Sequence, residues 1–188
     1  MSCCVGLLGI NRSAVLGAVI AGGKSTRFGS DKALAKLRGR TLIDQVADTL
    51  AAQTAEVIVV GREHDGLTGI PDTPAPGLGP LGGIAAALVE AQARGYSAVL
   101  TAPCDAYDLP DDLRERLYPY PAYVANLPVV GLWPAYAAAD ALAILESDAK
   151  HSIKGFAARI SARAVQLPRD PANINTAADL ERVQTHGL

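Results

Sequence analysis

Three cysteines in 188 residues are too few for a disulfide framework, and their positions, Cys3, Cys4 and Cys104, give no tetrahedral metal spacing. A reducing compartment follows, with the cytoplasm as the default. Histidine is equally sparse. His64, His151 and His186 show no ligand spacing and are read as solvated or locally bonded imidazoles. An excess of charge is missing too: 17 Lys and Arg against 19 Asp and Glu leave a net charge of -2, which gives no general attraction to nucleic acid or to an anionic membrane. The early apolar patch at residues 5–10 is broken by Asn11 and Arg12, well short of the roughly 20 residues that a spanning helix needs. It has neither the basic lead nor the cleavage site of a secretory leader, so residues 1–14 are expected to form a loosely held N-terminal extension. Internal repeats and low-complexity segments are absent from the sequence.

What is present is apolar and periodic. With 49% hydrophobic and 19% charged residues, the chain has the length and composition of one compact domain, expected over residues 15–188. Residues 14–21 form a continuous apolar run of the kind buried on both faces of a parallel sheet. Leu42, Ile43, Val46, Ala47 and Leu50 follow at helical spacing behind Thr41 and Asp44, which are placed as a capping box. Residues 57–60 predict a second strand ending at Gly61, residues 80–94 a helix, and residues 98–102 a third strand. This alternation predicts an α/β fold with a mostly parallel central sheet, helices on both faces, and ligands beyond the carboxyl ends of the strands. Farther on the pattern predicts a short helix over 110–117, a strand over 123–130, helices over 135–146 and 152–160, a strand over 164–167, and a terminal helix behind Thr176 with Asp179 three residues on. A nucleotide-binding half, about 15–110, and an acceptor-binding half, about 111–188, are expected.

The richest stretch is Val19-Ile20-Ala21-Gly22-Gly23-Lys24-Ser25-Thr26-Arg27-Phe28-Gly29-Ser30-Asp31-Lys32, where an apolar strand runs into a loop of glycines and cations. Backbone N–H groups beside glycine approach phosphate oxygens closely, and Lys24, Arg27 and Lys32 supply the countercharge of a polyphosphate. It is not a P-loop, because the position five before Gly23 is Ala18 rather than glycine. The segment Gly77-Leu78-Gly79-Pro80-Leu81-Gly82 satisfies G-x-G-x-x-G literally, but Pro71, Pro74 and Pro76 stand where a parallel strand should precede it. It reads instead either as a glycine-rich ledge for a base, with Asp72 accepting from ribose or base donors, or as a plain proline-rich connection. Asp105 follows the third strand almost directly. Its carboxylate is either a Mg²⁺ ligand or the cap of a turn.

Other residues carry less. Asp108, Asp111 and Asp112 are read as helix-start charges. Lys150, Lys154, Arg159 and Arg163 are read as a solvated face, with attraction of a second substrate's phosphate as the alternative. Cys104 is read as a strand-end filler.

Taken together, the loop from Ala21 to Leu34, Gly79-Pro80-Leu81-Gly82-Gly83-Ile84, Pro103-Cys104-Asp105 and Asn173-Ile174-Asn175-Thr176 resemble, in order, four signatures of the molybdenum cofactor guanylyltransferase (MobA) family. The resemblance spans about residues 15–185. It implies a three-layer Rossmann-like nucleotidyltransferase fold and transfer of GMP from GTP to the phosphate of molybdopterin, with Mg²⁺ as cofactor and contact with cofactor-pathway proteins. It also implies that Ile20, Ala21, Gly22 and Gly23 line the GTP site and that Arg27 and Lys32 act on the phosphates. Asp72, Gly79, Pro80, Leu81 and Gly82 would hold guanosine, Asp105 the metal, and Asn173 and Asn175 the pterin. Phe28, Ala177, Ala178 and Gly61 depart from the family pattern. The alternatives are a cytidylyltransferase or an enzyme with a different phosphate acceptor, and, from another class, a non-catalytic nucleotide-binding module.

Overall fold

A computed structural model describes residues 14–22, 32–147, 150–169, 171–174 and 176–186. Of the predicted extension, residues 1–14, all but Ala14 lie outside them, as do Gly23, Arg27 and Asn175. In chain order the elements begin with β1 (Val15–Ile20), a short antiparallel pair β2 (Lys36–Leu37) and β3 (Arg40–Thr41), α1 (Leu42–Ala51), β4 (Glu56–Val60) and β5 (Thr68–Ile70). They continue with α2 (Pro80–Ala93), β6 (Ala98–Pro103), β7 (Ala106–Tyr107), α3 (Leu113–Arg116), β8 (Ala122–Val124), β9 (Leu127–Pro134) and α4 (Ala138–Leu145). Last come α5 (Ile153–Arg159), β10 (Arg163–Val165), β11 (Ala172–Asn173) and α6 (Ala177–His186).

β1 lies inside a seven-stranded sheet of order β10-β8-β9-β6-β1-β4-β5, in which β9 alone runs antiparallel to its neighbours. All six of its residues are buried, and the period of two divides them between the faces. Leu16, Ala18 and Ile20 join one core with α2, α4 and α5, while Val15 and Val19 join the other with α1 and α3. Each buried Val, Leu or Ile contributes about 1.5–3 kcal/mol relative to exposure, so the strand is held from both sides. The expectation of a mostly parallel sheet with helices on both faces is met.

Thr41 caps α1, accepting from the Asp44 N–H at 3.2 Å, but the Thr41 hydroxyl itself bonds to the Asp44 carboxylate instead of leaving it for a backbone donor. At α6 the box is reciprocal: the Thr176 N–H donates to Asp179 Oδ2 at 2.8 Å, and the Asp179 N–H donates to Thr176 Oγ1 at 3.1 Å.

Three expectations change. The predicted strand at 123–130 is two antiparallel strands, β8 and β9, reversing at Ala125 and Asn126, where apolar residues on both sides of a two-residue turn had hidden the break. The helix over 110–117 shrinks to α3. β5, β7 and β11 are added, each of two or three residues and too short to carry a periodic signal. None of the described helices is long and apolar enough to cross a membrane.

Candidate active site

The carboxyl end of β1 organises the site, because Ile20 is in register with Val60 on one side and Pro103 on the other. The Ala21 N–H donates to the Val60 carbonyl at 2.9 Å, and the Cys104 N–H donates to the Ile20 carbonyl at 3.0 Å. Three strand ends therefore deliver Gly22, Gly61 and Asp105 to one edge. Parallel pairing has this consequence, since strands entering from one end leave at the other together.

Lys32 opens a short 3₁₀ turn (Lys32–Leu34) on the far side of the cationic loop, and its ammonium forms an ion pair with the Asp105 carboxylate. Both side chains are largely buried, at 14% and 12% exposure, so neither charge could be left alone there cheaply. A small third core lies just beyond this turn: Leu37, Leu42, Ile174 and Val183 pack together with Ala35 against them, and the Gln184 side chain donates to the Lys36 carbonyl at 3.1 Å. The same core positions the Asn173 segment. β11 pairs with β7, Asn173 lies opposite Ala106, and the Ile174 N–H donates to the Asp105 carbonyl at 3.1 Å.

The glycine-rich ledge closes the other flank. Gly77 and Gly79 have φ of +86° and +77° with open space where a Cβ would be, so their backbone is bare to solvent. Gly79 precedes α2, a 14-residue helix with Pro80 in its first turn and no side-chain cap. Leu81 is fully buried and Gly82 is buried beside Leu78, with its N–H donating to the Gly79 carbonyl at 3.0 Å, whereas Gly79 and Pro80 are exposed. Asp72 reaches from the connection after β5 to Gly22. A Cβ on Gly22 would lie 2.8 and 3.0 Å from the two Asp72 carboxylate oxygens. Burial raises the Asp72 carboxyl above its ordinary value, opposed by a hydrogen bond from the Gly77 N–H.

The match to a family model settles what this edge belongs to: residues 17–162 fit the MobA-like NTP transferase domain. The chain belongs to that family. It is 38% identical over 181 residues to a molybdenum cofactor guanylyltransferase of Acidiphilium cryptum, covering 88% of this chain and 92% of that protein. It is 36% identical over 194 residues to one from Sinorhizobium fredii, covering 88% of each. Among solved structures, the molybdopterin-guanine dinucleotide biosynthesis protein A of Archaeoglobus fulgidus superposes with a TM-score of 0.65 at 21% identity, over 90% of this chain and 96% of that one. That last likeness concerns the fold, and it agrees with the Rossmann-like nucleotidyltransferase expectation.

In this MobA-like domain Ile20, Ala21, Gly22, Lys32, Asp72, Gly79, Pro80 and Asp105 come to one edge, and Asn173, beyond the matched residues, reaches it through β11. Other readings are corrected. Asp108 stands outside α3 at φ +63° and pairs with Arg169 at 3.1 Å, so it is not a helix-start charge, whereas Asp112 is the N-cap residue of α3 and pairs with Arg116 one turn on, as a helix-start charge does. Arg159 pairs with Asp140 at 2.7 Å and Arg163 donates to the Pro119 carbonyl at 3.1 Å, which agrees with the ordinary-face reading of that basic segment. His64, expected to be a solvated or locally bonded imidazole, is instead largely buried, with Nε2 2.7 Å from Asp44 Oδ1, and ties the β4–β5 connection to the start of α1. The Asp44 carboxyl is held below its ordinary value, first by the Thr41 hydroxyl and then by His64. A 20-residue separation offers no local signal for such a pair.

Proposed function

We propose that this protein transfers GMP from GTP to the phosphate of molybdopterin, forming the guanine dinucleotide cofactor and releasing pyrophosphate. The observation that carries the reading is the buried Lys32–Asp105 pair at the strand edge that also presents Gly22 and the bare ledge of α2. An ammonium beside a carboxylate, next to a glycine turn, suits a polyphosphate and its cation: Lys32 turns to phosphate oxygens and Asp105 is released as a hard oxygen ligand. The identity of the relatives points the same way.

The donor set fits magnesium. Among the described residues no three His, Cys, Asp or Glu side chains gather as a metal cage, so a cation at Asp105 would complete its shell with phosphate oxygens and water, as Mg²⁺ does. Bound there, Mg²⁺ would supply neutralisation of phosphate charge. The remaining work falls to the chain. The backbone at Ile20, Ala21, Gly22 and Gly23 receives the phosphates, and Asp72 accepts from a guanosine donor. Gly79, Pro80, Leu81 and Gly82 shelve the base, with buried Leu81 and Gly82 contributing backbone only. An oxygen of the pterin phosphate attacks the α-phosphorus in line, the bond to the bridging oxygen breaks, and the electron pair leaves with pyrophosphate. Lys32 and Arg27 stabilise the charge building there. Asn173 and Asn175 face the pterin from the acceptor-binding half, residues 111–188. No side-chain nucleophile is needed, since positioning and electrostatics supply the rate. The reading includes a cytoplasmic location and transient contact with proteins that supply molybdopterin.

The test is pyrophosphate release from purified protein with molybdopterin, Mg²⁺ and each of the four nucleoside triphosphates. GTP is expected to give the highest kcat/KM. A preference for CTP would reassign the base ledge, and silence with all four would make the domain a binding module.

A further inference from the structure

Gly61 ends β4 and takes no part in the proposed chemistry, yet its surroundings are unusually tight. Its φ is +90°, and a Cβ there would stand 2.5 Å from Gly22 Cα and 2.6 Å from Gly22 N. Side-chain carbons do not approach backbone so closely, and the obstruction is main chain that cannot rotate away. Gly61 is therefore in direct backbone contact with the first glycine of the cationic loop. On its other side Gly22 meets the Asp72 carboxylate, where its own Cβ would lie at 2.8 Å. The next layer is again glycine: a Cβ on Gly83, in the first turn of α2, would lie 2.8 Å from Ile20 Cγ2 and 3.5 Å from Asp72 Oδ1. Three glycines from three segments thus surround one loop entrance and one carboxylate. The register is set by the Ala21 bond to Val60 and by the Gly61 N–H donating to the Ile70 carbonyl at 2.8 Å.

We propose that Gly61 is a positioning residue whose bare α-carbon seats Gly22 against Asp72 and so fixes the distance between the phosphate-loop entrance and the guanosine ledge. The inference rests on the proposed use of GTP, because only a ligand spanning both parts senses their separation. A side chain at position 61 lifts Gly22 and leaves each part intact but misaligned. A displacement of about 1 Å at such a point costs up to roughly 100-fold in a reaction that depends on positioning.

The strain of a positive φ must be separated from the lift, and the fold provides the control. Gly66, in the same connection, has φ +80° and nothing within 4 Å of a Cβ, so Gly66→Ala bears the backbone cost alone. Gly61→Ala is expected to lower Tm more than Gly66→Ala, because displacing Gly22 adds to the shared backbone cost. Only Gly61→Ala should raise the Kd and KM for GTP, by about 10- to 100-fold, while Kd for inorganic tripolyphosphate stays within about twofold of wild type on the same reasoning. Equal GTP affinity in the two variants, or equal loss of GTP and tripolyphosphate by Gly61→Ala, would overturn the role. If Gly61→Ala does not fold, Gly83→Ala takes its place: the helix preference of alanine offsets part of the cost of crowding Ile20, so the fold should be kept, and Kd for GTP should rise about fivefold as Ile20 is displaced. An unchanged Kd there is equally fatal. Wild type that binds no GTP would instead remove the proposed function, and the inference with it.

Discussion

The loop edge at Gly22 and the cluster at Trp133 lie in one sheet and are built by opposite means. At the loop edge, Gly22, Gly61 and Gly83 withhold side chains so that backbone meets backbone and a carboxylate. Around Trp133, space is filled: its ring stacks on Tyr123 with centroids 6.1 Å apart and 11° between planes, and tilts against Phe156 at 5.3 Å. The indole N–H donates to Thr101 Oγ1 at 2.9 Å, and the Thr101 hydroxyl donates to the Val129 carbonyl at 2.6 Å. Gly131 in that region serves the ring, since a Cβ would lie 2.3 Å from Trp133 Cζ2. A cluster of buried aromatic surface is where stability is stored. The glycine edge holds little such surface, so its value is geometric, and the two regions should fail in different assays.

The sharpest way to break the comparison is Trp133→Ala, which empties a fully buried site and strips Thr101 of its donor. It should cost about 3–5 kcal/mol of folding stability by denaturant melts, with Kd for GTP unchanged in the folded fraction. A loss of GTP affinity instead would show that the two regions are coupled. Lys32→Ala is next and should act the other way. Turnover of the folded fraction should fall about 100- to 1,000-fold in pyrophosphate release, beyond a stability loss of up to about 3–5 kcal/mol from leaving Asp105 without its ammonium. Unchanged turnover would remove Lys32 from the mechanism.

The smallest effect is also the most diagnostic. Asp72 has its carboxyl raised by burial, so ionising it opposes folding. That cost is absent below the ordinary value of 3.8, grows as pH rises toward the folded-state value, and is complete above it. Asp72→Asn should therefore raise Tm by about 1–3 °C near neutral pH, with the gain vanishing below pH 4 in a pH-resolved melt, and should weaken GTP binding. A variant that loses stability at neutral pH would show that the carboxylate supports the loop edge structurally.

Much of this contrast was legible before any coordinates. The apolar run of β1, the cap at Thr41, the helix from Pro80 and the position of Asp105 after a buried strand all follow from local rules, and the structure keeps them. The glycine- and proline-rich run before α2 was recognisable because both residues mark backbone that is neither regular strand nor helix, but the sequence left open whether it is a ledge or a plain connection. The reversal between β8 and β9 was not, because Ala125-Asn126 is a weak turn signal between two apolar stretches. Nor was the His64–Asp44 pair.

By itself the sequence determined which segments become strand or helix and where backbone must stay bare, because periodicity, capping and the absence of a Cβ act within a few residues. Only the tertiary structure decided that Lys32 meets Asp105, that Gly61 rests on Gly22 and that β7 pairs with β11 beside them. Those contacts join residues tens of positions apart, and they form only once parallel strands have brought their ends to a common edge.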